Sequence, residues 1–211
     1  GTTCTSALAG GSMGSMKRPV NNSKGCGGVM RAAPVGLYFY QKSGLAFKTG
    51  CDIAAITHGH PSGYLPAGML AMIIAELINE KTVIEAIDSA SRELKKHPKY
   101  EETLNAVEKA VELAGSEMPH ENAISILGEG WIADEALAIA VYCALKVKDF
   151  KQAVIRAVNH NGDSDSTGAI CGNIIGAHLG MNRIPAEWIE HVELGDYITN
   201  IAERLHRLAG M

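Results

Sequence analysis

The sequence predicts an all-α protein, a compact bundle of helices around one or two central apolar helices. Three observations predict it. Aromatic residues make up only 5% of the 211 positions, while Ala, Leu, Ile and Met abound, a set that fills helix–helix contacts better than it pleats into sheets. Apolar residues recur at helical spacing from Leu65 to the end of the chain. Two runs, Met69 to Ile78 and Ala136 to Leu145, are apolar almost all round, as a helix surrounded by other helices must be. At this length one domain buries about 70% of the surface of its unfolded form, so a hydrophobic core forms without disulfides or metals.

Along the chain, Ser23 to Gly28 (Ser-Lys-Gly-Cys-Gly-Gly) is a glycine-rich turn before Val29-Met30-Arg31-Ala32-Ala33-Pro34. Its three glycines let backbone N–H groups face a common anion, and Lys24 and Arg31 on the flanks suit a phosphate or pyrophosphate. A tight loop before a helix explains the same residues. The turn is neither a Walker A motif nor a dinucleotide fingerprint following a strand. After the apolar run Ile53 to Ile56 comes His58-Gly59-His60-Pro61. A His-x-His pair serves zinc in some hydrolases, but no alternating strands exist to carry such a barrel site, and a single hydrogen-bonding histidine fits the context better. The run Met69 to Ile78 falls short of the roughly 18 residues a membrane span requires.

Val83, Ile87, Ala90 and Leu94 form one stripe, opposite Glu85, Asp88, Arg92 and Lys95, so an amphipathic surface helix is expected. Leu104, Val107, Val111 and Ala114 repeat the pattern. Turn signals at Gly115 to His120 and Asn159 to Asp163 bracket the second central run, and Ile198, Ile201, Leu205 and Leu208 stripe the last helix. In the helix that begins near Ser166, Gly168, Gly172, Gly176 and Gly180 fall on every fourth position. Each interior Gly costs up to about 1 kcal/mol relative to Ala, which predicts a closely packed neighbouring helix as the compensation.

The most chemically loaded stretch is Asn159-His160-Asn161-Gly162-Asp163-Ser164-Asp165-Ser166-Thr167. One Asp or Ser suffices for an N-cap. Two aspartates two apart with flanking hydroxyls also make a set of hard oxygen ligands suited to Mg²⁺, Mn²⁺ or Ca²⁺, and in extended backbone Asp163 and Asp165 would point the same way. An EF-hand is excluded, since loop position twelve would be Ile174 where a bidentate carboxylate is required. Cap and metal site both remain open on spacing alone.

Charge and cysteines narrow the class. Lys and Arg number 19 against 23 Asp and Glu, a net charge of −4, with no basic stripe for nucleic acid. The five cysteines are widely spaced and never in Cys-x-x-Cys, so neither a disulfide framework nor a thiolate zinc site is signalled, and a reducing cytoplasm is the expected setting. No signal peptide or membrane span is read. Gly1 opens the chain, which is expected to begin mid-protein.

Four ordered blocks together resemble the ADP-ribosylglycohydrolase family, whose bacterial type member reverses ADP-ribosylation of dinitrogenase reductase: Ser23 to Gly36, Thr57 to Pro61, Leu127 to Leu137, and Asn159 to Gly168 with its glycine-faced helix. The resemblance implies a compact all-α protein binding ADP-ribose beside two Mg²⁺ or Mn²⁺ ions. It implies Asp163, Asp165 and Ser166 as metal ligands, Ser166 standing where Thr is commoner. The loop Ser23, Gly25, Cys26, Gly27 and Gly28 would cradle the diphosphate and His58 would face the ribose. Cys26 sits where some members carry Asn, which leaves its backbone contact but not its side-chain contact. Trp131 is expected in the core rather than stacked on a ligand. The family's N-terminal segment, with a hydroxyl-Asp-Asp motif and a further acid that orients the water, has no counterpart here. The chain is therefore expected to be the C-terminal part of one hydrolase domain, with the catalytic acid supplied by that segment or by a second chain. The function implied is metal-dependent removal of ADP-ribose from a modified side chain, ADP-ribosyl-arginine or a related conjugate. The alternatives are a member or fragment that only binds ADP-ribose or is structural, and a zinc hydrolase centred on His58 and His60.

Overall fold

The computed structural model describes residues 1–209, whose regular elements are helices joined by turns and loops, with no strand among them. The helices are α1 (Thr2–Ala9), α2 (Ala33–Tyr38), α3 (Ser43–Ala55), α4 (Pro61–Ile78), α5 (Val83–Leu94), α6 (Glu101–Ala114), α7 (His120–Leu127), α8 (Ala133–Lys146), α9 (Phe150–Val158), α10 (Ser164–Leu179), α11 (Ala186–His191) and α12 (Gly195–Ala209), with short 3-10 turns at Val29–Arg31 and Met181–Arg183.

The two all-apolar runs are the centre, as predicted. Helix α4 starts at Pro61, whose missing N–H is harmless at a first position, and is capped by His60, which accepts from the Ser62 amide. At 18 residues it is long and apolar enough to cross a membrane, beyond the shorter run read from sequence, yet 89% of that window is buried inside this fold. Its one carboxylate, Glu76, is buried and paired with Lys81 at 2.6 Å. Helix α8 is buried from Ala133 to Ala144 apart from Glu135. Helix α5 has the expected stripe, started by a complete Thr82–Glu85 capping box.

Two stripes differ from expectation. On α6 the buried face is Thr103, Leu104, Val107, Ala110 and Leu113, while Val111 and Ala114 are half-buried. Packing against α8 rotates the face slightly from the one the apolar residues alone suggest. On α12 the stripe exists but no residue is buried. Ile198 instead edges an apolar groove of about 810 Å³ that also runs along α9, α10 and α11. The close helix approach expected at the α10 glycines lies elsewhere. A Cβ on Gly50 of α3 would meet the Ala67 carbonyl at 2.6 Å, and one on Gly68 of α4 would meet Cys51 Sγ at 2.4 Å. On α10 only Gly168 is tight, 2.5 Å from Val158, whereas Gly172 and Gly176 have ordinary contact distances of 3.9 and 3.5 Å.

Candidate active site

The glycine loop is built by its neighbours. Asn21 Oδ1 accepts from the Ser23 and Gly59 amides and its Nδ2 donates to the Thr57 carbonyl, which ties the loop to the chain entering α4. Ser23 Oγ accepts from Gly25 N. Cys26 N donates to Trp131 O, and Ala133 N to Lys24 O, so the loop pairs edge to edge with the segment before α8. These bonds occupy the Gly25 and Cys26 amides. Among the described residues the Gly27 and Gly28 amides have no acceptor, and they are what remains for an oxyanion at the head of the 3-10 turn Val29–Arg31.

The flanking cations are engaged elsewhere, contrary to the expectation that both face an anion. Lys24 Nζ pairs with Glu102 at 2.6 Å. Arg31 donates to the Ile53 carbonyl and Thr57 Oγ1, locking the turn onto the end of α3. His58 is buried beneath the loop, where its ring lies 3.3 to 3.5 Å from the Cβ positions of Gly25 and Gly27, and its Nδ1 is 2.8 Å from Thr57 Oγ1. Burial, then the charge of Arg31, lowers its pKa to about 4, so the ring is neutral. His60 is spent on its cap. The two histidines do not converge, which removes the geometric basis of the zinc reading.

The acidic turn is not extended. Asp163 is the N-cap residue of α10 and Asp165 lies in its first turn, so the alternation argument for the two carboxylates fails. Their carboxyls are neighbours nonetheless, and the Asp163 carboxyl beside it raises Asp165 above its ordinary value. Burial works to raise Asp163, but the neighbouring Asp165, the Cys26 thiol and Ser166 outweigh it and hold the carboxyl below its ordinary value. Instead of closing the cap, the Asp163 carboxylate accepts from the Cys26 thiol. Burial, then the bond to Asp163, pushes that thiol up to about 11. Ser166 is buried and its Oγ is 3.4 Å from Cys26 Sγ and 3.6 Å from Met30 Sδ. Cys26 is thus the side chain that joins the loop to the turn.

What pins the turn is Thr167. Fully buried, it donates to Ala157 O at 2.6 Å and receives His160 Nε2–H at 2.9 Å, while His160 Nδ1 accepts from Gly162 N. Asp163 N donates to Glu129 O at 2.7 Å. A Cβ on Gly162 would lie 1.8 Å from that same carbonyl, so only glycine lets the two loops approach. Glu135 accepts from the Glu129 and Gly130 amides. Trp131, expected in the core, is 57% exposed beside the loop, with Nε1 donating to Glu129. Sequence reasoning missed a second polar cluster, in which Asp134 on α8 accepts from Thr103 of α6 and contacts Ser62 of α4, while Ser62 and Lys24 both donate to Glu102. No local motif signals it, because its members come from four separate segments.

Among the described residues no three His, Cys, Asp or Glu side chains surround one point. The oxygens of Asp163, Asp165 and Ser166 suit Mg²⁺ or Mn²⁺ by chemistry, and they adjoin one thiol.

A family model described as ADP-ribosylglycohydrolase matches residues 1–211. The ADP-ribosylhydrolase ARH3 of Danio rerio is 28% identical over 220 residues, covering 88% of this chain and 58% of the relative. The ADP-ribosylarginine hydrolase Tri1 of Pseudomonas putida is 23% identical over 184 residues, covering 87% of this chain and 46% of its own. A solved structure titled ADP-ribosylglycohydrolase-related protein complex superposes with a TM-score of 0.75 at 26% identity, over 99% of this chain and 69% of that one. The chain spans about half the length of the curated relatives it matches.

Proposed function

Because the chain belongs to the ADP-ribosylglycohydrolase family, we propose that it forms the ADP-ribose-binding part of a hydrolase that releases ADP-ribose from a modified protein side chain or small conjugate. The observation that carries this is the Cys26–Asp163–Ser166 contact, which unites a loop with free Gly27 and Gly28 amides and a turn rich in hard oxygens in one site. In this reading Gly27 and Gly28 bind a diphosphate oxygen, Ser23, Gly25 and the Cys26 backbone shape the loop, and neutral His58 supports it from below, on the ribose side. Asp163, Asp165 and Ser166 would hold Mg²⁺ or Mn²⁺. When bound, the ions polarise ribose hydroxyls and orient water.

ADP-ribosyl-arginine is the favoured substrate, supported by the name of the Tri1 relative. The remaining ligands and the acid that orients water are proposed to come from residues outside these 211, on a longer chain or a second one. A second reading, ADP-ribose binding without turnover, is favoured for these residues alone by the Asp163 carboxylate being taken up by the Cys26 thiol, with no three His, Cys, Asp or Glu side chains around one point among the described residues.

The test is titration of ADP-ribose by calorimetry with and without Mn²⁺, followed by release of ADP-ribose from an ADP-ribosyl-arginine peptide by protein that includes the complementary segment. Asp163→Ala and Asp165→Ala are expected to weaken Mn²⁺ binding and to reduce turnover by at least about 100-fold, the scale of losing a group that stabilises charge in the transition state. Unchanged turnover in both variants would refute the metal assignment. Absence of ADP-ribose binding would refute the function.

A further inference from the structure

Trp131 presents an indole to solvent beside the glycine loop, and among the described residues no other ring and no cation stacks on it. It is held in place from both sides. Its carbonyl accepts from Cys26 N and its Nε1 donates to Glu129 Oε2 at 3.0 Å. The chain before it is fixed by Glu135, which accepts from the Glu129 and Gly130 amides, with Gly128 and Gly130 at positive φ of 113° and 81° making the turn. The same turn abuts the head of α10. Glu129 O accepts from Asp163 N, and a Cβ on Gly130 would lie 3.7 Å from that of Asp163. Trp131 therefore stands next to the acidic end of the site, where the bond between ribose and acceptor would lie.

Glu129 also lines a polar cavity of about 430 Å³ between α7 and the acidic turn, together with Glu121, Ser125, Asn159, His160 and Asn161. No Lys or Arg lines it, and His160, whose Nδ1 accepts from Gly162 N, is neutral, so the charges there are the carboxylates of Glu121 and Glu129. A planar cation suits this surface. A guanidinium stacks on an indole face by cation–π attraction and pairs with a carboxylate through its N–H fork, and an acidic wall favours positive charge beside it. A neutral nucleobase would also stack on the indole but gains no charge pairing from the carboxylates. We propose that Trp131 and Glu129 form the acceptor subsite, holding the guanidinium of an ADP-ribosylated arginine between the indole face and the carboxylate. The proposal rests on the ADP-ribose reading of the preceding section and names the residues that would select the acceptor.

The experiment compares two ligands of the 211-residue chain by calorimetry with Mn²⁺ present: ADP-ribose, and ADP-ribosyl-arginine made with a carbocyclic acceptor-side ribose so that it is not consumed. The parent should bind the conjugate at least about threefold tighter, within the range of a cation–π contact at an exposed site. Trp131→Ala should abolish that preference while ADP-ribose itself still binds as in the parent, and Trp131→Phe, which keeps an aromatic face, should retain part of it. Glu129→Gln keeps an acceptor for the indole and should lower the preference together with its salt dependence. Circular dichroism should report an unchanged fold in all three. Trp188 is the only other tryptophan, so in Trp188→Phe the fluorescence reports Trp131 alone and should respond to the conjugate but not to ADP-ribose. A preference that survives Trp131→Ala overturns the proposal. So does ADP-ribose affinity that falls in Trp131→Ala as far as the conjugate's, or ADP-ribose that quenches Trp131, since either puts the adenine on the indole. ADP-ribose that binds with no preference for the conjugate overturns this proposal alone, whereas a parent that binds neither ligand refutes the ADP-ribose reading and the proposal with it.

Discussion

Thr167 hides inside the loaded stretch because a buried threonine one residue past a predicted ligand looks like any helix-start hydroxyl. The structure gives it three roles at once, as donor to Ala157 O, acceptor from His160 and neighbour of the Asp163 carbonyl. Thr167→Val keeps the shape and removes the hydroxyl, leaving a buried carbonyl and a ring N–H without partners. It is expected to cost about 1–3 kcal/mol, read as a lowered urea midpoint with an unchanged slope; a midpoint equal to the parent's would show that water replaces the hydroxyl. Asp134 carries a pH signature. Burial raises its carboxyl to about 6, with hydrogen bonds from Thr103 and Ser62 opposing. Because the folded value lies above the unfolded one, the folded state binds more protons between pH 4 and 6, and stability falls as pH rises through that window. Asp134→Asn keeps an acceptor for Thr103 and is expected to flatten this slope and to gain on the order of 2 kcal/mol at neutral pH. Chemical denaturation at pH 4.5 and 7.5 measures both; a slope unchanged in the variant would move the titration to another group.

Glycine spacing misleads at the level of the element, and the reason is geometric. Three glycines on one face of α10, Gly168, Gly172 and Gly176, make close approach permissible, but the approach depends on what the facing helix presents, and α9 presents Val158, Val154 and Phe150. Those side chains fill the space a second backbone would take. Where backbones do approach, between α3 and α4, the glycines are single and unperiodic in sequence, so nothing marked Gly50 or Gly68. A pair of substitutions separates the two situations. Gly172→Ala adds a methyl at ordinary contact distance and should stabilise by up to about 1 kcal/mol from helix propensity. Gly68→Ala drives a methyl into Cys51 and the Phe47 carbonyl and should destabilise by about 1–3 kcal/mol. Thermal melts of the two are the measurement, and equal shifts of one sign would contradict the packing described. The acidic turn follows the same rule in reverse. Its residue types were legible, but the extended backbone that was to point the two aspartates the same way is a helix start instead, with Asp163 as the N-cap and Asp165 in the first turn.

Helical periodicity specifies which side of a helix is apolar but not what lies against it, and this separates what was legible of the whole molecule from what was not. The helical class, the central position of α4 and α8, and the α5 stripe all follow from residue order, because a helix apolar on every side has only one place to go. The α12 stripe of Ile198, Ile201, Leu205 and Leu208 has the same local pattern as α5, yet α5 buries its face and α12 buries none of its residues. The loop-to-turn junction through Cys26 was likewise invisible, since it joins positions 137 residues apart and Cys26 carries no motif of its own. This contrast sets an order of local stability. Amides of a helix enclosed on all sides open only with the whole fold, while those of a helix held by one edge open alone at low free energy. Native-state hydrogen exchange should therefore find the slowest amides in α4 and α8, among Leu70 to Ile74 and Leu137 to Val141, and fast exchange across Ile198 to Leu208 under conditions where α5 remains protected. Protection of α12 equal to that of α8 would mean that its apolar stripe is covered in solution, and the groove along α9, α10 and α11 would then have to be filled.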